Sequence, residues 1–155
     1  MEPATKKLML EDLKLGQAFR SPPRKIDAEE IKRFAKEYDP QPFHLDEEAA
    51  KDSFFGELVA SGWQVAAITM RLLIESTPIE GGLVGAGGDI QWLRPTRPGD
   101  VLEVESEVMD IKPSQKAPRG SVTMRSTTKN QDGKIVMVMN SRIVVPMREA
   151  MKASK

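Results

Sequence analysis

Cysteine is absent from the 155 residues, and histidine occurs once. Without thiols there is no disulfide framework, no thiolate metal site and no cysteine nucleophile. A single histidine also excludes a two-histidine metal site within one chain. Neither sign of charge prevails. Lys plus Arg total 23 and Asp plus Glu total 23, for a formal net charge of zero. A nucleic-acid partner is therefore not expected, since such proteins carry a basic excess. No stretch approaches the roughly 18 consecutive apolar residues of a membrane span. The first apolar run, Leu8-Met9-Leu10, is too short for a signal peptide. A soluble, cytoplasmic protein that engages no membrane is expected, and the lack of cysteine fits a reducing compartment.

What is present describes an ordinary globular chain, with 39% hydrophobic and 30% charged residues. Its length suits one domain able to bury a core without staples. No repeat, linker or low-complexity tract interrupts it. A single domain over 1–155 is expected, with loose polar arms at about 1–7 and 148–155.

The first half reads as helical. Asp27 followed by Glu30 has the form of a capping box, and Ile31, Phe34 and Ala35 then fall on one face. Pro40 and Pro42 stop that helix. Asp46-Glu47-Glu48-Ala49-Ala50 suggests a second short one with acids in its first turn. From Ser61 to Glu75 only Gln64, Thr69 and Arg71 interrupt an apolar run. A helix apolar nearly all round is expected to be buried. The second half alternates with period two. Leu102, Val104, Ser106 and Val108 oppose Glu103, Glu105 and Glu107, and Val122, Met124 and Ser126 oppose Thr123, Arg125 and Thr127. Ile135 to Met139 and Ile143 to Val145 read as a nearly continuous apolar strand, and Asn130 to Gly133 as the hairpin turn before it. Ile90 to Leu93 reads as a further strand. Helices first and antiparallel strands after give an α+β layout, with the sheet wrapped around the apolar helix.

The stretch Tyr38-Asp39-Pro40-Gln41-Pro42-Phe43-His44-Leu45-Asp46 presents an acid and the single imidazole from one loop. Two prolines fix their own φ and hold the residues before them extended, so the loop is pre-set. An imidazole and a carboxylate side by side can position a water and pass protons near neutral pH. On spacing alone such a pair is more often a surface histidine beside an acid that ends a helix.

Asp39-x-Gln41-Pro42-x-His44 resembles the hydratase motif, Asp-x-Asn-Pro-aliphatic-His, of the MaoC-like dehydratase and (R)-specific enoyl-CoA hydratase family. Ala49 and Ala50 stand at that family's small-residue positions. Phe54 to Gly62 is similar to the approach to its central helix, and Arg94 to Leu102 to its Pro-Gly-Asp turn and strand. The resemblance runs from about Leu8 to Met147. It departs at Gln41 in place of Asn, at Phe43 in place of an aliphatic residue, and at Lys36-Glu37-Tyr38 before the acid.

The resemblance implies the hot-dog fold, a curved antiparallel sheet around one long helix, usually paired as a homodimer. It implies an acyl-CoA substrate, with coenzyme A entering only as part of that substrate and no metal or redox cofactor. It places the acid/base roles on Asp39 and His44, which would add water across a 2-enoyl thioester or remove it from a 3-hydroxyacyl thioester. Gly62 falls where a backbone N–H meets the thioester oxygen, a role that a free N–H at a helix start can serve. Gln41, Ser61 and Trp63 are the adjoining candidates for substrate contact. Two other functions are weighed: a hot-dog acyl-CoA thioesterase, for which the helix offers only the distant Glu75, and a non-catalytic acyl-thioester binding protein.

Among the remaining features, the glycine run Gly81 to Gly88 has no Gly-Lys-Ser/Thr and is expected to be a flexible loop entering a strand. Arg94 and Arg97 are candidates for CoA phosphates, or for pairing with acids. Met124, Met137 and Met139 are expected to fill core or interface, and Trp63 and Trp92 to pack, with Trp63 also placed to line an acyl pocket.

Overall fold

The structure, a computed structural model, describes residues 6–148. The expected arms lie outside the described residues apart from Lys6, Lys7 and Arg148. Arg148 is ion-paired with Asp12 at 2.6 Å.

After a single 3-10 turn at Leu10–Asp12 come two short strands, β1 (Ala18–Arg20) and β2 (Arg24–Lys25). Helix α1 (Ala28–Tyr38) follows, then the short turns α2 (Pro42–Leu45) and α3 (Glu47–Lys51), and the long helix α4 (Gly62–Ser76). Four strands complete the chain: β3 (Val84–Trp92), β4 (Val101–Pro113), β5 (Arg119–Lys129) and β6 (Ile135–Pro146). They pair antiparallel in the order β1-β4-β5-β6-β3, with β2 also on β4.

The local causes are those read from the sequence. Asp27 accepts a hydrogen bond from Glu30 N–H and so caps α1, satisfying one of the orphan donors of a helix start. Asp46 does the same for α3 through Ala49 N–H. Pro42 opens α2 at its first position, where its missing N–H costs nothing. On β4, Leu102, Val104, Ser106 and Val108 are all buried while the intervening glutamates are not. Gly133, with φ of 74°, makes the turn between β5 and β6.

The sheet curls around α4. Val65, Ile68, Leu72 and Leu73 of the helix share one core with Leu102, Val104, Val136 and Met137 of the strands. A second core lies beyond, where Leu10, Leu13 and Ile79 meet Val108, Val122, Ile143 and Val145. Burying each of these aliphatic side chains contributes about 1.5–3 kcal/mol. This is the hot-dog arrangement. No helix among the described residues is long and apolar enough to cross a membrane.

Three expectations are corrected. Helix α4 is not buried all round: Trp63 is 59% and Ile74 60% exposed, and Met70 is exposed as well. The sheet covers one side of the helix, and the apolar residues on the other side face outward. The glycine run is not a flexible loop beyond its first residues, because Val84 to Gly88 is the first half of β3 and is paired with β6. Gly88 shows why glycine is needed there. Its φ is 153°, and a Cβ would lie 2.2 Å from the Asn140 carbonyl oxygen. Finally, the segment holding His44 is one helical turn, α2, rather than an open loop.

Candidate active site

Helix α1 ends at Tyr38, and Asp39 is its C-cap, with its N–H bonded to the Ala35 carbonyl. The chain then reverses through Pro40 and Gln41 into α2. This brings His44 back beside Asp39, with His44 Nε2 3.3 Å from Asp39 Oδ2. His44 is only 5% exposed. Its other nitrogen, Nδ1, lies 2.6 Å from the carbonyl oxygen of Val59. A carbonyl can only accept, so Nδ1 carries the proton. In the neutral ring the Nε2 lone pair is then turned toward Asp39. Val59 is itself held, donating its N–H to the Phe43 carbonyl at 3.0 Å. The ring is thus fixed in both tautomer and orientation.

The Asp39 carboxylate has two donors of its own. Ser61 Oγ donates to Oδ2 at 2.7 Å, and Gln41 Nε2 donates to Oδ1 at 2.5 Å. Burial pushes the carboxyl up, but the hydrogen bonds from Ser61 and Gln41 and the proximity of His44 outweigh it. Asp39 therefore ionises below the ordinary carboxylate range. The longer Gln41 side chain, a departure from the family pattern, still reaches the acid with its amide.

Ser61 links the acid to the central helix. Fully buried, it is the N-cap of α4, and its Oγ accepts from Trp63 N–H at 3.2 Å while donating to Asp39. Gly62 is the first helical residue. Among the described residues its N–H meets no acceptor of the chain, and it lies at the positive end of the helix dipole. Its flank is closed by Trp92. The indole Nε1 donates to the Gly62 carbonyl at 2.9 Å, and a Cβ at Gly62 would lie 2.7 Å from the Trp92 ring. A side chain at this position would therefore push the Trp92 ring aside. Trp63 meets Trp92 edge to face, with centroids 5.2 Å apart.

These groups share one cavity of about 450 Å³, lined by Asp39, Gln41, His44, Gly62, Trp63 and Trp92 among others. Phe54 stands at it 95% exposed, and Phe54, Phe55 and Phe43 form a chain of ring contacts that ends on the His44 imidazole. A larger groove of about 650 Å³ lies between α1 and α4. There Arg24 pairs with Glu30 and Arg71 with Glu75, so its charges are largely answered from within. The acid and the imidazole line the smaller cavity.

All six expected residues, Asp39, Gln41, His44, Ser61, Gly62 and Trp63, therefore come together, with Ser61 reaching the cavity through its bond to Asp39. Arg97 does not join them as a free cation, because it is ion-paired with Glu57 at 2.9 Å. Arg94 lines the cavity and spends one donor on the Ile135 carbonyl. Sequence reasoning missed the Val59 carbonyl, which has no side-chain signature, and gave Trp92 only a packing role. Among the described residues no group of three or more His, Asp or Glu side chains is placed to hold a metal ion.

A curved antiparallel sheet around one helix defines a hot-dog protein, and in this one an acid and an imidazole face each other at the helix start. The chain belongs to the MaoC like domain family, which matches residues 12–130. It is similar to the crystal structure of a MaoC-like dehydratase from Rhodospirillum rubrum, at 52% identity and TM-score 0.88, covering 91% of this chain and 98% of that one. It is 35% identical to the Bacillus subtilis protein YdeM, which is uncharacterized, over 80% of this chain and 89% of that protein. It is 30% identical to a 3-hydroxybutyryl-CoA dehydratase of Methylorubrum extorquens, over 79% of this chain and 78% of that protein.

Proposed function

We propose that the protein is an (R)-specific enoyl-CoA hydratase, or the 3-hydroxyacyl-CoA dehydratase that runs the same reaction in reverse. The observation that carries this reading is the Asp39–His44 pair with its fixed tautomer. A water between them would donate one hydrogen to His44 Nε2 and the other to the Asp39 carboxylate. Its lone pair would then face C3 of a bound 2-enoyl thioester. Addition moves the first proton to Nε2 and bonds the hydroxyl oxygen to C3. The displaced electron pair runs through C2 to the thioester oxygen, where the Gly62 N–H would receive it. The Nε2 proton then passes to C2 and restores the neutral imidazole. Asp39 stabilises the transient imidazolium, since its own ionisation is held low. General acid–base help of this kind contributes about 10²–10⁴-fold.

The similarity to a 3-hydroxybutyryl-CoA dehydratase supports an acyl-CoA substrate, and with it a cytoplasmic setting. The outward apolar face of α4, with Trp63, Met70 and Ile74, adjoins the edge strand β3, whose Val84 is exposed. Together they support a homodimer built on this face. Hot-dog thioesterases usually place a water-activating acid on the central helix or nearby. Glu75 is paired with Arg71, thirteen residues and so about 20 Å along the helix from Gly62.

The test is hydration of crotonyl-CoA, followed by loss of the enoyl-thioester absorbance with free thiol monitored in parallel. Hydration to an (R)-3-hydroxyacyl product, abolished in Asp39→Asn and His44→Ala, is expected. Thiol release would mean a thioesterase. Binding of acyl-CoA without turnover of short, long or branched enoyl chains would mean a binding protein.

A further inference from the structure

We infer that Trp92 is a positioning residue for the thioester-oxygen donor: its indole N–H, on the Gly62 carbonyl, sets the orientation of the first turn of α4. The inference rests on the hydratase reading above. Trp92 ends the edge strand β3, where it pairs with Met137 of the buried strand β6. Its backbone is therefore anchored to the sheet. Its side chain crosses to the helix and makes one polar bond, Nε1 to Gly62 O at 2.9 Å. The same ring lies flat enough against Gly62 to leave no room for a Cβ, with Cε2, Nε1 and Cδ2 at 2.7, 2.8 and 3.1 Å from where that atom would be. The opposite side of the turn is held by Ser61, bonded to Asp39 Oδ2 at 2.7 Å and to Trp63 N–H at 3.2 Å. The Gly62–Trp63 peptide thus sits between two clamps, its carbonyl held by Trp92 and its N–H by Ser61. One is tied to the acid and the other to the sheet, and the Gly62 N–H, joined to that peptide through its own Cα, takes its orientation from them. Such alignment matters because a displacement of about 1 Å can cost about 10²-fold in rate.

The test compares wild type with Trp92→Phe, which keeps a ring but loses the donor. A second variant places β-(3-benzothienyl)alanine at position 92, which keeps the indole shape and loses only the N–H. Two readouts are taken on folded protein. The first is crotonyl-CoA hydration, resolved into kcat and KM. The second is the enolate absorbance of bound acetoacetyl-CoA, which reports stabilisation of a thioester oxyanion without any addition of water. Both variants are expected to lose about tenfold to a hundredfold in kcat with KM changed less than about threefold, and to hold a smaller enolate fraction at saturation. Wild-type kcat and enolate fraction in the benzothienyl variant would overturn the inference. So would a fall in kcat that tracks only the loss of folded protein, with the enolate fraction of the remainder unchanged. Wild type that forms the enolate but hydrates nothing would refute the hydratase reading while leaving the Trp92 comparison readable. Wild type that does neither would overturn both.

Discussion

Replacing Gly62 by alanine sets two physical effects against each other, and their sizes follow from the structure. Gly62 has no left-handed backbone requirement, since its φ is not among the positive values. In a helix interior the change would stabilise by up to about 1 kcal/mol, the glycine-to-alanine propensity difference. Here the new methyl would lie 2.7 Å from Trp92 Cε2 and 2.8 Å from Nε1. Carbon atoms in contact prefer about 3.5–4.0 Å, so the ring must retreat by close to 1 Å. Overpacking of that kind costs about 1–3 kcal/mol. If Trp92 swings outward instead, it gives up its bond to the Gly62 carbonyl, about 0.5–1.5 kcal/mol, and its edge contact with Trp63, of similar size. Either way the clash outweighs the propensity gain, and Gly62→Ala is expected to be about 1–2 kcal/mol less stable. Urea unfolding with an unchanged m-value would read this as a lower midpoint. In a Trp92→Leu background the penalty should vanish, which gives a coupling energy of the same size. A single variant more stable than wild type, with an unchanged rate on crotonyl-CoA, would refute both the packing argument and the placement of Gly62 at the reacting oxygen.

Asp39→Asn and His44→Ala should each lower kcat by about 10²–10⁴-fold, read per folded molecule because His44 is buried and bonded to the Val59 carbonyl. Ser61→Ala removes a hydrogen bond that lowers the Asp39 ionisation, so the acidic limb of the kcat/KM profile should move to higher pH. The sign for stability follows: a depressed carboxyl stabilises the fold above its unfolded value, and that contribution is lost as pH falls through the folded one. The Ser61→Ala variant should therefore lose less stability on acidification, besides about 1 kcal/mol for the missing cap. Thr69 of α4 and Thr128 of β5 share a buried hydrogen bond at 2.7 Å. Thr69→Val should cost about 1–3 kcal/mol by orphaning its partner, and the double change to valine should cost less than the two single changes added, as read from thermal midpoints.

The readable parts of the fold were those whose side chains carry a period or a cap. The apolar run of α4 named the central helix, and the glutamates alternating along β4 named a half-wet strand. What escaped were elements without such a signal. β1 and β2 have three and two residues, too few to show alternation. The glycine half of β3 has almost no side chains to alternate, and only its pairing with Arg142 and Ser141 makes it a strand. The outward face of α4 was misjudged because its composition records only that the helix is apolar, not which partner covers each side. At the site, Asp39 and His44 were legible because only four residues, two of them prolines, separate them. Val59 was not, since its contribution is a carbonyl that any residue would supply. Trp92 was not, since its contact with Gly62 spans thirty residues of sequence and exists only once β3 is paired.

Ser61 shows how closely the fold and the chemistry are joined here. One hydroxyl has a single proton to give and two lone pairs to receive. It gives the proton to Asp39 and receives the Trp63 N–H. The ionised state of Asp39 fixes the direction of that hydroxyl, and the hydroxyl in turn caps the helix whose first N–H adjoins the acid. Protonating Asp39 would remove the charge that strengthens the bond from Ser61 and so weaken the link between them. Acid and helix start are thereby coupled through one buried oxygen, so their mutual geometry is most firmly held when the carboxylate is charged.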